Sequence, residues 1–136
     1  MNGIKLFKLK KIKIQKGNVY KFLSRKDKFF KKFGEIYISE IKKNSIKGWN
    51  YHLKNKCHLA VISGKVRFHL IKERNRKFYS KKIILSSNNF KLLIISPKIF
   101  FSFKGIDKKN LIINFLQNPH QKKESRKFKE VNGISI

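Results

Sequence analysis

The fold is decided by the stretch CHLAVISGKVRFHLI, residues 57–71. Two runs rich in β-branched, aliphatic and aromatic residues, 57–62 and 66–71, stand on either side of Ser63-Gly64. Runs of this length and composition are typical of β-strands. Gly64 can adopt the positive φ of a tight turn at no steric cost, so the stretch predicts two strands joined as a hairpin.

The same pattern, a short apolar run closed by a turn signal, continues along most of the chain. The connections are too short for crossover helices, which indicates antiparallel pairing and an all-β sandwich or barrel. Two charged segments without internal Gly or Pro, 27–32 and 121–130, are predicted as short helices. The other predicted strands are Asn18–Leu23, Glu35–Ile41, Ile46–His52, Phe78–Leu85, Phe90–Ile95, Ile99–Phe103 and Leu111–Leu116.

A chain of 136 residues is long enough for one domain with one core. Hydrophobic residues make up 40% and aromatic residues 13%, so there is enough apolar material to exclude water. We therefore expect a single domain over 1–136, with N-terminal strands in 1–34, a β core in 35–119 and a C-terminal tail in 120–136.

The net charge of +28 would by itself point to nucleic acid or another polyanion. Only five of the 35 basic residues are arginine, and the lysines are spread along the whole chain. This distribution favours the codon usage of an AT-rich genome over selected polyanion binding. Nucleic acid is expected to bind only non-specifically, through net charge, and in a salt-sensitive way.

The single cysteine, Cys57, excludes an intramolecular disulfide and is consistent with a reducing cytoplasm. Lysines interrupt the first apolar residues, and no segment approaches the roughly 18 to 20 apolar residues that cross a bilayer. A soluble cytoplasmic protein without a membrane partner is expected. Dinucleotide-binding, P-loop, serine-hydrolase and CxxC motifs are all missing from the sequence.

The strand Ile46–His52 carries the residues with the strongest claim to chemistry. Asn50 and His52 are two residues apart and therefore project from one face. Such a polar pair is either hydrogen-bonded within a core or lines a cavity, and Gly48 on the same face favours a site. The alternation gives this face Ile46, Gly48, Asn50 and His52, and gives the other face Lys47, Trp49 and Tyr51.

Several segments, in this order, resemble one family. The run Lys47-Gly48-Trp49-Asn50 resembles an Arg-Gly-Leu-His motif and, extended to His52, an Arg-Gly-Phe-His-Ala-His motif. The segment 13–19 resembles an element with Arg-Gly before a strand, and 93–105 resembles a strand, a proline turn and His-Gly-Phe. Over most of its length the chain is similar to the dTDP-4-dehydrorhamnose 3,5-epimerases and the related sugar 3,4-ketoisomerases.

This resemblance implies an antiparallel cupin, a jelly-roll β-sandwich or barrel. It also implies a homodimer formed through the N-terminal arm 1–34, a nucleotide sugar as the small-molecule partner, and no cofactor. Metal-binding cupins typically use a His-x-His pair followed by an acid. Because Asn50 replaces the first histidine and residues 53–56 contain no acid, no metal site is expected.

The resemblance also implies roles for individual residues. His52 would move a proton beside the sugar 4-keto group, and Asn50, which stands at the epimerase histidine, would polarise the carbonyl. An amide cannot accept a proton at neutral pH, and no tyrosine lies in 111–124, where the epimerases carry their acid. The implied substrate-binding residues are Lys16 and Lys47 at diphosphate-binding arginines, Trp49 for stacking, and Cys57 and Phe101 at a family lysine and histidine.

The predicted function is a sugar-nucleotide epimerase or isomerase that acts next to a 4-keto group in cell-surface polysaccharide synthesis. Two alternatives stay open. One is a non-catalytic cupin that binds a nucleotide sugar, and the other is a basic nucleic-acid-binding β protein.

Overall fold

The computed structural model describes residues 1–136 and contains no helix. It therefore also has no helix that could cross a membrane. The strands are β1 (Ile4–Lys8), β2 (Lys11–Ile12), β3 (Val19–Tyr20), β4 (Glu35–Lys42), β5 (Ile46–His52), β6 (Cys57–Ser63), β7 (Lys65–Arg74), β8 (Lys77–Ser86), β9 (Lys91–Ile95), β10 (Phe100–Gly105), β11 (Lys109–Leu116), β12 (Ser125–Lys127), β13 (Glu130–Val131) and β14 (Ile134–Ser135).

Ten of these strands form two five-stranded antiparallel sheets that pack face to face. Sheet 1 has the order β1-β9-β6-β11-β4, and sheet 2 has the order β12-β5-β10-β7-β8. The main core lies between them and includes Phe68, Leu93 and Leu116, each with no measurable exposure. The predicted all-β antiparallel sandwich is confirmed.

The hairpin predicted at Ser63-Gly64 is wrong, although the two strands and the turn are present. Strand β6 pairs with β9 and β11 in sheet 1, whereas β7 pairs with β8 and β10 in sheet 2. Gly64, with φ of 78°, turns a corner between the sheets, and a Cβ there would collide with the backbone of Lys109. Strands that switch sheets at such bends are a recurring feature of sandwiches.

Within the two large sheets, β7 and β8 are the only consecutive strands that pair with each other. Their turn contains Asn75 and Arg76, both with positive φ, as a two-residue hairpin of the favoured twist requires. Every other connection between strands of these sheets crosses from one sheet to the other or leaves the sandwich.

Both predicted helices are wrong. Residues 24–30 form successive turns, in which Asp27 N–H donates to the Ser24 carbonyl and Phe30 N–H donates to the Asp27 carbonyl, both at 3.0 Å. Residues 125–127 form β12, which pairs with β5. Helix propensity is a weak preference, and pairing with the open edge of β5 satisfies more backbone groups than an isolated short helix would.

A second, smaller apolar cluster lies on the outer side of sheet 2. It contains Trp49, Ile71 and Val131, with Phe100 against it. The β13–β14 hairpin covers this cluster, and the Trp49 indole N–H donates to the Ile134 carbonyl at 3.0 Å. The C-terminal segment therefore contributes both a strand of sheet 2 and a cover for its outer face.

Candidate active site

A cavity of about 690 Å³ lies between the two sheets, and we call it the inner cavity. It is open to solvent at the end of the sandwich where β4, β5 and β12 are the edge or near-edge strands. Its lining is mixed, with apolar residues from the core side and several polar groups that converge from different strands. The residues discussed below that line it are Glu35, Tyr37, Lys47, Gly48, Asn50, His52, Phe101, Asn114, His120, Arg126 and Lys127.

Asn50 and His52 both face the inner cavity from β5. His52 is buried, and its Nδ1 lies 2.8 Å from Oε2 of Glu124. Because a carboxylate accepts, Nδ1 carries the hydrogen, and Nε2 is left as the lone-pair nitrogen without a partner in the chain. A neutral imidazole held in this tautomer can accept a proton from a bound ligand.

Glu124 is fixed by several donors at once. Its Oε1 accepts the backbone N–H groups of Asn55 at 2.7 Å and Lys54 at 3.1 Å, and its Oε2 accepts from His52. Burial alone would raise the pKa of Glu124, but the His52 and backbone hydrogen bonds outweigh burial and lower it. The carboxylate is therefore ionised at neutral pH and can stabilise a positive charge on His52.

Tyr37 enters the inner cavity from β4, opposite β5. Asn114 accepts the His58 backbone N–H at 3.1 Å through Oδ1, so its amide nitrogen points towards Tyr37 and donates to the hydroxyl at 2.8 Å. The Tyr37 oxygen already accepts one bond, and its hydrogen is free to be donated to a ligand. Burial is the main reason that the pKa of Tyr37 is raised, which keeps the phenol protonated.

A bulge in β5 brings Lys47 to the inner cavity. Asn50 pairs with Phe101 and Lys47 with Phe103, so β5 has one extra residue between these pairs. The strict alternation that put Lys47 on the other face is therefore wrong, because the extra residue resets the phase of the strand. Gly48 permits the bulge: its φ is 122°, and a Cβ would lie 2.7 Å from the Phe101 carbonyl oxygen.

The inner cavity has an excess of positive charge. Lys47, Arg126 and Lys127 line it, against the single carboxylate of Glu35, while Glu124 is occupied by His52. Glu35 also accepts the His120 backbone N–H at 2.8 Å. A site with three cations and few anions suits a ligand that carries phosphate groups.

The structure does not bring all the predicted site residues together. Phe101 lines the inner cavity, 6.1 Å from the His52 ring between centroids. Trp49 lies on the opposite side of sheet 2, and Lys16 lies exposed in the turn between β2 and β3. Cys57 is inside the main core, where burial raises the pKa of its thiol to about 12. None of these three side chains lines the inner cavity of its own chain.

Four groups at the inner cavity, Glu124, Tyr37, Arg126 and Lys127, were not singled out from the sequence. Glu124 and Arg126 lie in a segment predicted as a helix, and no local feature of the sequence indicates that this segment lies beside β5. Tyr37 had a signal: in β4 the polar residues Glu35, Tyr37 and Ser39 alternate with isoleucines and form a polar stripe. No three His, Cys, Asp or Glu side chains converge closely enough to hold a metal ion.

The two sheets, the corner turns and the polar cavity between them define a cupin. Among solved structures, a dTDP sugar isomerase from Desulfovibrio desulfuricans G20 is 28% identical, with 93% of this chain and 84% of that chain covered and a TM-score of 0.88. No protein-family model matches the chain, and no curated protein sequence matches it significantly.

Two more distant structures have the same fold. A histidine-to-asparagine mutant of a sugar 3,4-ketoisomerase from Thermoanaerobacterium thermosaccharolyticum, in complex with TDP-4-keto-6-deoxyglucose, is 19% identical, with 93% of this chain and 88% of that chain covered and a TM-score of 0.80. A dTDP-6-deoxy-D-glucose-3,5-epimerase from Legionella pneumophila, in complex with dTDP-4-keto-L-rhamnose, is 14% identical, with 98% and 78% covered and a TM-score of 0.83. The predicted resemblance to the cupin-fold nucleotide-sugar epimerases and ketoisomerases is confirmed.

Proposed function

We propose that this protein is a sugar-nucleotide isomerase or epimerase that acts next to the 4-keto group of a dTDP-linked sugar. The observation that carries the proposal is the His52–Glu124 pair at the wall of the inner cavity, at 2.8 Å. An imidazole whose Nδ1 is held by a carboxylate and whose Nε2 is free is arranged as a general base. The likeness to a dTDP sugar isomerase supports the choice of substrate class.

His52 starts the reaction by removing the proton from the sugar carbon beside the carbonyl. The electron pair of the broken C–H bond forms a carbon–carbon double bond, and the carbonyl oxygen becomes an enolate oxygen. Glu124 stabilises the imidazolium that results. The Asn50 amide and the Tyr37 hydroxyl are donors in the same cavity, and such donors stabilise the developing oxyanion.

The second half of the reaction determines the product. The keto group moves by one carbon if protonated His52 returns its proton to the former carbonyl carbon and the hydroxyl on the deprotonated carbon passes its proton to the enolate oxygen. That hydroxyl then becomes the new carbonyl, and the former carbonyl becomes a hydroxyl. If Tyr37 instead protonates the first carbon from the opposite side, the carbon is epimerised. Single-base proton transfer between adjacent carbons needs fewer groups, which favours the keto-isomerisation.

The cations of the inner cavity have a role in the same proposal. Lys47, Arg126 and Lys127 would bind the diphosphate, with Arg126 able to offer two parallel N–H donors. Products of such reactions would serve cell-surface polysaccharide synthesis, as the resemblance implies.

We further propose a homodimer formed through the N-terminal strands. Ile14, Val19 and Tyr20 in and beside the β2–β3 hairpin are 44–50% exposed, so the hairpin offers an apolar surface that a second copy could cover. Because Lys16 does not line the inner cavity of its own chain, its predicted contact with the diphosphate requires the hairpin of a second copy. Light scattering on the purified protein gives the test, and a monomer at micromolar concentration would contradict this arrangement.

The proposed activity is tested by incubation with a dTDP-4-keto-6-deoxy sugar in deuterated water. Wild type should place deuterium on a carbon adjacent to the original or the new carbonyl, and the labelled position identifies the product. His52→Ala should abolish labelling, whereas Tyr51→Phe, the neighbouring residue on the other face of β5, should label like wild type. Equal labelling by His52→Ala and wild type would overturn the role of His52.

A second candidate function is binding of a nucleotide sugar without turnover. It is favoured by Asn50, because an amide in place of an imidazole leaves one base fewer in the inner cavity. Saturable binding of the dTDP sugar by wild type, with no deuterium in the recovered sugar, would establish this alternative.

A further inference from the structure

A second cavity, of about 360 Å³, lies on the outer side of sheet 2, and we call it the outer basic cavity. Its floor is formed by strands β10, β7 and β8, and the C-terminal residues 134–136 form one wall. It lies on the other side of sheet 2 from the inner cavity, and the two linings share only Ile46. The proposed sugar-nucleotide chemistry uses none of its charged groups.

Three cations are placed side by side on this floor by the strand register. Arg67 pairs directly with Lys104, and Lys82 pairs with His69 in the adjacent row. Directly opposite side chains in a sheet begin about 5 Å apart, so the charges of Arg67 and Lys104 repel one another. No Asp or Glu side chain lines the outer basic cavity to offset this repulsion.

Other cross-strand cation pairs in the chain differ in one respect. Lys42 pairs with Lys109 on sheet 1, and both side chains are exposed and line neither the inner cavity nor the outer basic cavity. Repulsion on such a surface is weakened by water and salt. Arg67 and Lys82 are exposed as well, and the difference is one of shape. At the outer basic cavity the cations surround a concave space, where an anion could contact several of them at once.

A serine side chain also lines the outer basic cavity. Ser102 is 5% exposed, lies on β10 between two residues that face the core, and lines the outer basic cavity. Its hydroxyl makes no hydrogen bond within the chain and can be reached from the cavity. A ligand oxygen in the cavity would give it a partner.

His69 lies close to the same cations. Burial, followed by the charges of Lys82 and Arg67, lowers the pKa of His69. Its Nε2 lies 2.7 Å from the Ser80 hydroxyl, and its ring lies 5.1 Å from Trp49 between centroids. The ring is therefore neutral at pH 7 and adds no charge to that of Arg67, Lys82 and Lys104.

We propose that the outer basic cavity binds a small ligand with two adjacent phosphate groups. Arg67 and Lys104 would each contact a phosphate, Lys82 would add a third positive charge, and the Ser102 hydroxyl would donate to a phosphate oxygen. The cavity is closed on one side by residues 134–136, so a compact diphosphate fits it better than an extended polyanion.

Inorganic pyrophosphate is the probe, and the chain's single tryptophan is the reporter. Trp49 lines the outer basic cavity, so its fluorescence follows occupancy of that site. Titrations at about 0.15 M salt, where long-range charge effects are largely screened, should show saturable binding to wild type. Arg67→Gln/Lys104→Gln should bind at least about tenfold more weakly, because each lost contact is a charge-assisted hydrogen bond.

Two double variants make this result specific. Lys42→Gln/Lys109→Gln removes the same charge from another cross-strand pair and should bind pyrophosphate like wild type. Lys47→Gln/Arg126→Gln removes two cations from the inner cavity and should also retain the Trp49 response, so failure of the proposed enzymatic function leaves this test intact. Melting curves confirm that each variant folds, which is expected because the substituted side chains are exposed or half-buried.

Ser102→Ala changes no charge and should weaken binding by several-fold, which a purely electrostatic attraction would not do. The proposal is overturned if wild type shows no saturable Trp49 response. It is equally overturned if Arg67→Gln/Lys104→Gln and Lys42→Gln/Lys109→Gln bind pyrophosphate with the same affinity.

Discussion

Strands β4 and β7 both alternate polar and apolar residues, yet they turn opposite kinds of residue towards the space between the sheets. On β7 the apolar Val66 and Phe68 point inward and have no measurable exposure, while Arg67 points out. On β4 the polar Glu35 and Tyr37 point inward and line the inner cavity.

The outward faces of β4 and β7 differ in the opposite sense: that of β4 is apolar. Ile36 and Ile38 are 45% and 57% exposed, whereas the corresponding face of β7 carries charge. Inward polar groups are tolerated only where water or a ligand can satisfy them, because a buried polar group without a partner is costly. A strand with its polar face inward, such as β4, therefore lies at the open end of the sandwich, and its hydrophobic pattern alone predicts the wrong orientation.

The largest effect on stability is expected on β7, where apolar side chains fill the space between the sheets. Phe68→Ala removes a ring that has no exposure and packs 5.8 Å from the Phe103 ring, so it should cost about 3–5 kcal/mol of unfolding free energy. Ser39→Ala, on the cavity face of β4, should change it by less than about 0.5 kcal/mol. Urea denaturation measures both, and similar losses in the two variants would break the distinction between filled and open ends.

The next effect concerns chemistry on the β4 side. Tyr37→Phe keeps the ring but removes the hydroxyl that accepts from Asn114, and turnover of the 4-keto sugar should fall about 100-fold, as expected for loss of a group that donates to the reacting oxygen. The exposed Tyr79 on β8 offers a matched control, because Tyr79→Phe removes a hydroxyl outside the inner cavity. A normal rate for Tyr37→Phe would show that the inward polar stripe of β4 serves binding or structure instead.

A smaller and pH-dependent effect is expected at Glu124. Burial opposes a low pKa, but the bonds from His52, Asn55 and Lys54 bring it below its ordinary value of 4.5. The ionised carboxylate therefore stabilises the fold above pH 4.5, and this contribution is lost as the pH falls through the lower pKa of the folded state.

The test compares wild type with Glu124→Gln by denaturant unfolding. At pH 6 wild type should be more stable by about 1–2 kcal/mol, because hydrogen bonds to a charged acceptor are stronger than those to an amide. The difference should shrink steadily at pH values below about 4.5, where free glutamate begins to protonate. A difference that stayed constant down to pH 3 would mean that the carboxylate is not ionised in the folded state.

The smallest effect belongs to the outer face of β4. Ile38→Ser replaces a side chain that is 57% exposed, so the unfolding free energy should change by less than about 0.5 kcal/mol. Heat or urea denaturation at low protein concentration provides the measurement. A loss of more than about 1 kcal/mol would show that this apolar face is covered in solution. The outward isoleucines of β4 would then be explained by an interface with another chain.

Most of the fold could be predicted because strand composition and turn chemistry are local properties. The strand Ile46–His52 was predicted with its observed bounds, and Asn75 and Gly64, which lie in predicted turns, are among the residues with positive φ. Strands β1 and β12 were not predicted, because both are short and contain lysine or arginine. Each forms a strand by pairing with a segment that is distant in the sequence.

The candidate site divides in the same way. The projection of Asn50 and His52 from one face follows from the two-residue period of a strand, and the structure places both at the inner cavity. The inward position of Lys47 did not follow, because the extra residue in β5 is defined only by its pairing with β10. The partner of His52 could not be predicted either, since Glu124 is 72 residues away and belongs to no motif.

By itself, then, the sequence determined a β-rich chain, the places where it turns, its large positive charge, and a polar pair on one strand face. Only the tertiary structure decided that the turn at Ser63-Gly64 is a corner between sheets and not a hairpin, that β4 presents its polar face inward, and that Glu124 holds His52. The physical reason is that alternation and glycine turns act over a few residues. Strand pairing and cavity formation depend instead on how both sheets pack as a whole.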